Sequence, residues 1–219
     1  MSILRQIAIL FRFQLRDEMR TGEVMAVIVP FGAIALLVIP MAVGIETTLL
    51  SRIGPGLFWA VVLLFGIVVT QRRTAAASPA HGDALSLLGV DPAARFAATA
   101  LASAILLLGF QIVTGLVMIV LYDPVIVGWG WLAMVLPLVA LGLGMLGTVA
   151  GSVAEGRGPL APLLVAPLAI PILLGAAQAS EGLRLGVGIL RWIIVLALVD
   201  VVLALVGVLT ARPLEGTPS

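Results

Sequence analysis

The chain has no cysteine, no lysine and a single histidine, His81, in 219 residues. Without cysteine there is no disulfide, no thiolate nucleophile, no zinc–thiolate site and no iron–sulfur cluster. One histidine cannot assemble the usual zinc ligand sets, which combine several histidines with cysteine or carboxylate. Charge is scarce too, at 11% of residues, against roughly 25% in a soluble domain. Twelve basic residues, all arginine, against eleven acidic ones leave a net charge of +1, which points to no nucleic-acid partner.

What is there instead is apolar. Hydrophobic residues make up 62% of the chain and the mean hydropathy is +1.25, the composition of an all-α membrane protein. A spanning helix needs about 20 mostly apolar residues. Six stretches qualify, at about 24–43, 53–70, 96–121, 129–153, 159–179 and 188–209. They leave no room for a sizeable soluble domain, so the whole chain reads as one transmembrane domain. The first run starts near Val24, behind spread arginines. It is long enough to span, which makes it a retained anchor rather than a cleaved signal.

Arginine placement gives the expected orientation, because cytoplasmic loops retain positive charge. With both termini inside, the inner side receives Arg5, Arg12, Arg16, Arg20, Arg72, Arg73, Arg95, Arg157 and Arg212. Only Arg52, Arg184 and Arg191 fall outside. Before the first span, residues 3–20 read as an amphipathic helix. Arg5, Arg12, Arg16 and Arg20 share one face, with Ile3, Ile7, Leu10, Phe11 and Met19 over much of the rest. Such a helix is expected in the membrane interface, apolar side in lipid and arginines toward phosphates.

The longest polar stretch, residues 70–95, holds His81 and Arg72, Arg73 and Arg95. Within it "HGDALSLLGVDP" carries helix punctuation: Asp83 as N-cap, Leu85, Leu87 and Leu88 as an apolar patch, Gly89 with Pro92 as the stop. A helix of about two turns is marginal alone, so its leucines should pack on something. A short cytosolic helix between spans is what an ATP-binding-cassette (ABC) permease places in the groove of its ATPase. No Walker A pattern is present, so ATP chemistry would reside in a separate subunit.

Inside the membrane the chemistry is sparse. Asp200, near the middle of the last span, should face the bundle interior, a cavity or a partner. Gln111 and Gln178 can hydrogen-bond across helices. Gly147 and Gly151, with Gly144 a turn earlier, favour close helix approach, as ordinary packing or at a homodimer contact. Tyr122, Trp129 and Trp131 read as interfacial belt residues. Pro162, Pro167 and Pro171 should kink the fifth span and free backbone carbonyls. Met25, Met41, Met118, Met134 and Met145 read as packing rather than as haem ligands. An intramembrane protease would need a serine–histidine or paired-aspartate site in the spans, and neither exists. A carrier working without an ATPase usually has several intramembrane polar residues, whereas this chain has one charge there.

Three stretches resemble one family. The run "SRIGPGLFWAVVLL" (51–64), the loop with Gly82–Asp83 and Leu87–Leu88, and "LLVAPLAIPILLGAAQA" (163–179) are similar to CcmB proteins. These are the haem-exporter-type permease subunits of the cytochrome c maturation ABC system. The more specific marks are Arg52, Pro55 and Gly56, and the pair Pro167 and Pro171. The resemblance runs from about Arg5 to Leu209 and implies an ABC-2-like bundle of six spans in the bacterial inner membrane. It implies a non-catalytic subunit working with a CcmA-like ATPase that binds Mg-ATP, a haem-handling CcmC-like protein, a small CcmD-like subunit and a CcmE-like haem chaperone. Haem would be bound by those partners, with no cofactor on this chain. By the same resemblance the coupling loop is 71–95, with His81, Gly82, Asp83, Leu85, Leu87 and Leu88 as the ATPase contact. One departure stands out: Asp83 is the loop's only acid before Leu88, and the order is Gly–Asp rather than Asp–Gly. A related exporter permease for lipid, polysaccharide or drug is the alternative.

Overall fold

The computed structural model describes residues 2–22, 24–44, 46–76, 87, 89–154 and 161–211. Among them there is no strand; the chain forms helices α1 (Ile3–Thr21), α2 (Val29–Val43), α3 (Thr47–Ala76), α4 (Pro92–Tyr122), α5 (Leu132–Ala154), α6 (Ala161–Leu185) and α7 (Leu190–Ala211). A π-turn, Val24–Ile28, leads into α2, and a 3-10 turn, Trp129–Trp131, into α5. The all-α expectation holds.

Among the described residues, Thr47–Val69, Pro92–Tyr122, Trp129–Gly151 and Leu190–Ala211 are long and apolar enough to cross a bilayer. They coincide with four of the six expected spans. The expected span 24–43 is divided between the π-turn and α2. With 15 residues, α2 alone reaches about 22 Å, short of the roughly 30 Å hydrocarbon layer. It becomes a fifth crossing if α1 and Ala26–Ala42, which meet at 47°, count as one bent span. The expected span 159–179 corresponds to α6. That helix begins beside residues outside the description and carries Glu181 and Arg184 in its last turns.

Small residues set the helix spacing. Gly54 lies under the Tyr122 ring and Gly115 under Phe58, which packs α3 against α4. A Cβ at Gly144 would lie 2.8 Å from the Ala100 carbonyl oxygen and 3.0 Å from the Ala104 nitrogen, so α5 meets the α4 backbone itself. Gly175 faces Leu196, Gly182 faces Ile189 and Gly207 lies under Phe96. These pairs make α3 to α7 alternate in direction. The core is aliphatic with a few rings: Leu36, Phe58, Val62, Leu107, Phe110, Val139, Leu146, Ile172 and Leu196 are buried. The helix termini follow ordinary capping rules. Gly22 ends α1 at φ 62, its N–H on the Glu18 carbonyl. Asp91 caps α4 by accepting from the Ala93 N–H at 2.8 Å, with Pro92 as the first helical residue.

α1 forms the helix that its periodicity suggests, with Ile3 and Met19 exposed. Its half-buried stripe, Gln6, Ile7, Leu10, Phe11, Gln14 and Leu15, packs along α4 rather than being left for lipid. Arg5, Arg12, Arg16 and Arg20 remain exposed on the other side. A hydrophobic stripe is indifferent to whether lipid or a helix covers it, and here the long α4 is within reach.

Candidate functional site

The end of the bundle that holds Tyr122, Arg52 and Ser180 is called distal below; the end that holds α1 and the start of α4 is proximal. Functional side chains collect at both ends and at one point between them.

At the distal end a proline decides the chemistry. Pro40 lies inside α2 and has no N–H to give the carbonyl four residues back, which belongs to Leu36. Tyr122 replaces the lost donor: its hydroxyl donates to the Leu36 carbonyl at 2.7 Å, with the residue only 1% exposed. The crossing is open because Gly54 has no side chain; a Cβ there would lie 2.8 Å from the Tyr122 Cβ. Tyr122 is therefore a buried cross-helix latch, not the belt residue expected from its position. The signal was available in the sequence, since a helical proline always leaves an unpaired carbonyl to be matched. Trp129 and Trp131 are exposed, as belt residues are.

The Arg52–Pro55–Gly56 element surrounds this latch. Arg52 and Gly56 are exposed, and Pro55 lines a cavity of about 40 Å3 together with Phe58, Trp59, Met118 and Leu183. Above it the Trp59 indole N–H donates to Ser180 Oγ at 2.8 Å, and that hydroxyl donates onward to the Ala176 carbonyl at 3.0 Å. Ligand pockets run at about 300–1,000 Å3, so this apolar-lined cavity is far too small for a macrocycle. On the rim, Arg184 Nε donates to Glu181 Oε2 at 2.8 Å, and its Nη2 to Oε1. That hydrogen-bonded pairing holds the Glu181 carboxyl below its ordinary value; slight burial opposes it, and the charges of Arg184 and Arg52 add to it.

Between the ends lies Asp200 on α7, 6% exposed. Its Oδ1 rests over Gly142 of α5, 2.6 Å from where a Cβ would be, and Ile172 of α6 closes the same spot. Its Oδ2 is buried without a hydrogen-bond partner. Gln111 on α4 is fully buried, both amide atoms likewise unpartnered. Gln178 differs, standing on the exposed face of α6. Asp200 is inside the bundle, one of the placements expected for it, whereas the cross-helix hydrogen bond expected of Gln111 is not made among the described residues.

At the proximal end two glutamines of α1 reach α4. Gln6 Oε1 accepts from the Asp91 N–H at 3.0 Å, and Gln14 Nε2 donates to Thr99 Oγ1 at 3.0 Å. Neither was singled out by sequence, because a glutamine in an amphipathic helix looks like any polar-face residue.

Of the expected ATPase contact, His81, Gly82, Asp83, Leu85 and Leu88 lie outside the described residues. Leu87 is helical and 89% exposed, and Gly89 follows at φ 69, a left-handed stop. Pro167 lies within α6, and Pro171 is on its exposed face. α6 continues as one helix through both. Met41 and Met134 are exposed while Met118 and Met145 are buried among apolar neighbours. Among the described residues, no three His, Cys, Asp or Glu side chains come together to hold a metal ion.

This geometry defines a class: a multi-pass helical membrane protein whose polar contacts join helices to each other. The family model described as CcmB protein matches residues 5–215. Heme exporter protein B of Bradyrhizobium diazoefficiens is 30% identical over 183 residues, covering 81% of this chain and 82% of the relative. The chain belongs to the CcmB family.

Proposed function

We propose that this chain is the permease subunit of an ATP-driven complex for cytochrome c maturation. Six helices cross the bacterial inner membrane, with both termini and the proximal end in the cytoplasm. A CcmA-like ATPase binds the 71–95 loop and hydrolyses Mg-ATP; CcmC-like, CcmD-like and CcmE-like proteins complete the assembly. The subunit itself does no bond chemistry; it converts closure of the ATPase into movement of helices.

The observation that carries this reading is the family match over nearly the whole chain. The arginine bias toward the proximal side supports the orientation.

The test is a pull-down of the tagged chain from its native membranes in mild detergent, with the partners read by mass spectrometry. A variant with Leu85, Leu87 and Leu88 changed to aspartate is run in parallel. The expected result is an ABC ATPase and a haem-handling membrane protein with the wild type, and loss of the ATPase from the variant. An ATPase without haem-handling proteins favours an exporter of another cargo. No ATPase from an intact bundle overturns the mechanism.

A further inference from the structure

We propose that α1 and the first turns of α4 form one rigid strut, held in register by Gln6 and Gln14. This strut carries displacement of the cytoplasmic side into the bundle. The proposal rests on the functional reading above for the source of that displacement, and on the structure for the strut.

The two hydrogen bonds, Gln6 to Asp91 and Gln14 to Thr99, join residues separated by 85 positions in each case. Equal offsets mean that the two helices run in the same direction in register. The contacts are eight residues apart on α1, about 12 Å along the axis. A slip of one residue, about 1.5 Å, or a turn of one residue, about 100°, would break both bonds. The apolar stripe between them, Ile7, Leu10 and Phe11, is non-directional and would tolerate such sliding. Gln6 and Gln14 are therefore positioning residues: they fix translation and rotation where hydrophobic contact fixes only proximity.

The place of attachment gives the strut its use. Gln6 holds the backbone of Asp91, the residue whose side chain caps α4. α4 in turn packs on α2, α3, α5 and α7. A push on α1 or on the start of α4 then arrives at four helices together, without an intervening joint. The arginine face of α1 points away from α4, while on the α4 side the capping carboxylate of Asp91 lies at the contact.

The chain has no cysteine, so a single engineered pair reports cleanly. In membranes holding the whole complex, Gln14→Cys with Thr99→Cys is treated with a short bifunctional thiol reagent, with and without Mg-ATP and vanadate. The expected result is cross-linking to the same extent in both states, and none for the control Arg12→Cys with Thr99→Cys. A yield that collapses in one nucleotide state, or a control that matches it, overturns the strut. In a second arm, Gln6→Leu with Gln14→Leu should keep the ATPase bound and hydrolysing while matured cytochrome c falls about threefold to thirtyfold. Undiminished maturation with both glutamines replaced overturns the proposal. Should the wild-type chain support no maturation at all, the functional reading fails, and the cross-linking yield, which needs no activity, still decides the strut.

Discussion

The two flanks of α5 use glycine for opposite ends. Toward α4, Gly144 lets backbone meet backbone, with the Ala100 carbonyl and Ala104 nitrogen where a side chain would otherwise stand. Toward α7, two residues earlier, Gly142 makes room for the tip of a carboxylate, Asp200, with Ile172 beside it. The first contact is between parts that cannot yield without the helices separating. The second is between a rigid notch and a side chain that can rotate away. In a bilayer, where lipid tails are as apolar as leucine, close packing of small residues drives helix association. Hence the α4–α5 flank is the structural seam and the α5–α7 flank the place where polarity is tolerated.

The largest effect should follow from Gly144→Ala. Its Cβ meets backbone atoms, so α4 and α5 must move apart, at a cost of about 1–3 kcal/mol or somewhat more. Thermal unfolding of the detergent-solubilised protein, followed by size-exclusion chromatography, should show a clearly lowered midpoint. An unchanged midpoint would mean the seam is looser than the contact distances require. Gly142→Ala should cost less, because Asp200 can swing aside. A double-mutant cycle sharpens this: in an Asp200→Ala background the cost should fall by about 0.5–3 kcal/mol, the range for residues in contact. A small remainder should persist, since the same Cβ would lie 3.1 Å from Ile172 Cδ1. Strict additivity would show that Asp200 does not occupy the notch.

How much of this was legible in advance divides along the same line. Apolar run length located α3, α4, α5 and α7, because a spanning helix is specified by local composition alone. Asp200 was legible as shielded from lipid because exposure of a charge would be costly at its depth. Gln178 was not separable from Gln111 by that argument, yet it faces outward on α6. Composition gives depth but not azimuth. What covers α1 was illegible too, since periodicity defines a stripe and not its partner. Tyr122 sits where belt residues sit; Pro40 announces a Leu36 carbonyl in want of a donor, but not that the Tyr122 hydroxyl supplies it. Cross-helix contacts depend on which helices become neighbours, and no local window contains that information.

The smallest effect should come from the distal rim, where charge is exposed rather than enclosed. Glu181 and Arg184 pair three residues apart at the end of α6, and such surface pairs contribute little. The sign is nonetheless fixed. The Glu181 carboxyl titrates below its ordinary value of 4.5 in the folded protein, chiefly because Arg184 donates to it. The folded state thus favours the charged form. Its stabilisation is present above pH 4.5 and fades as pH falls through the lowered folded value. Glu181→Gln should therefore shift the unfolding midpoint slightly at neutral pH and not at all in strong acid, where both proteins carry a neutral side chain. It should leave the Gly142–Asp200 coupling untouched, because the rim pair lies outside the notch. A Glu181→Gln shift as large as that of Gly144→Ala would place the stability of this bundle at its charged rim instead of its glycine seam.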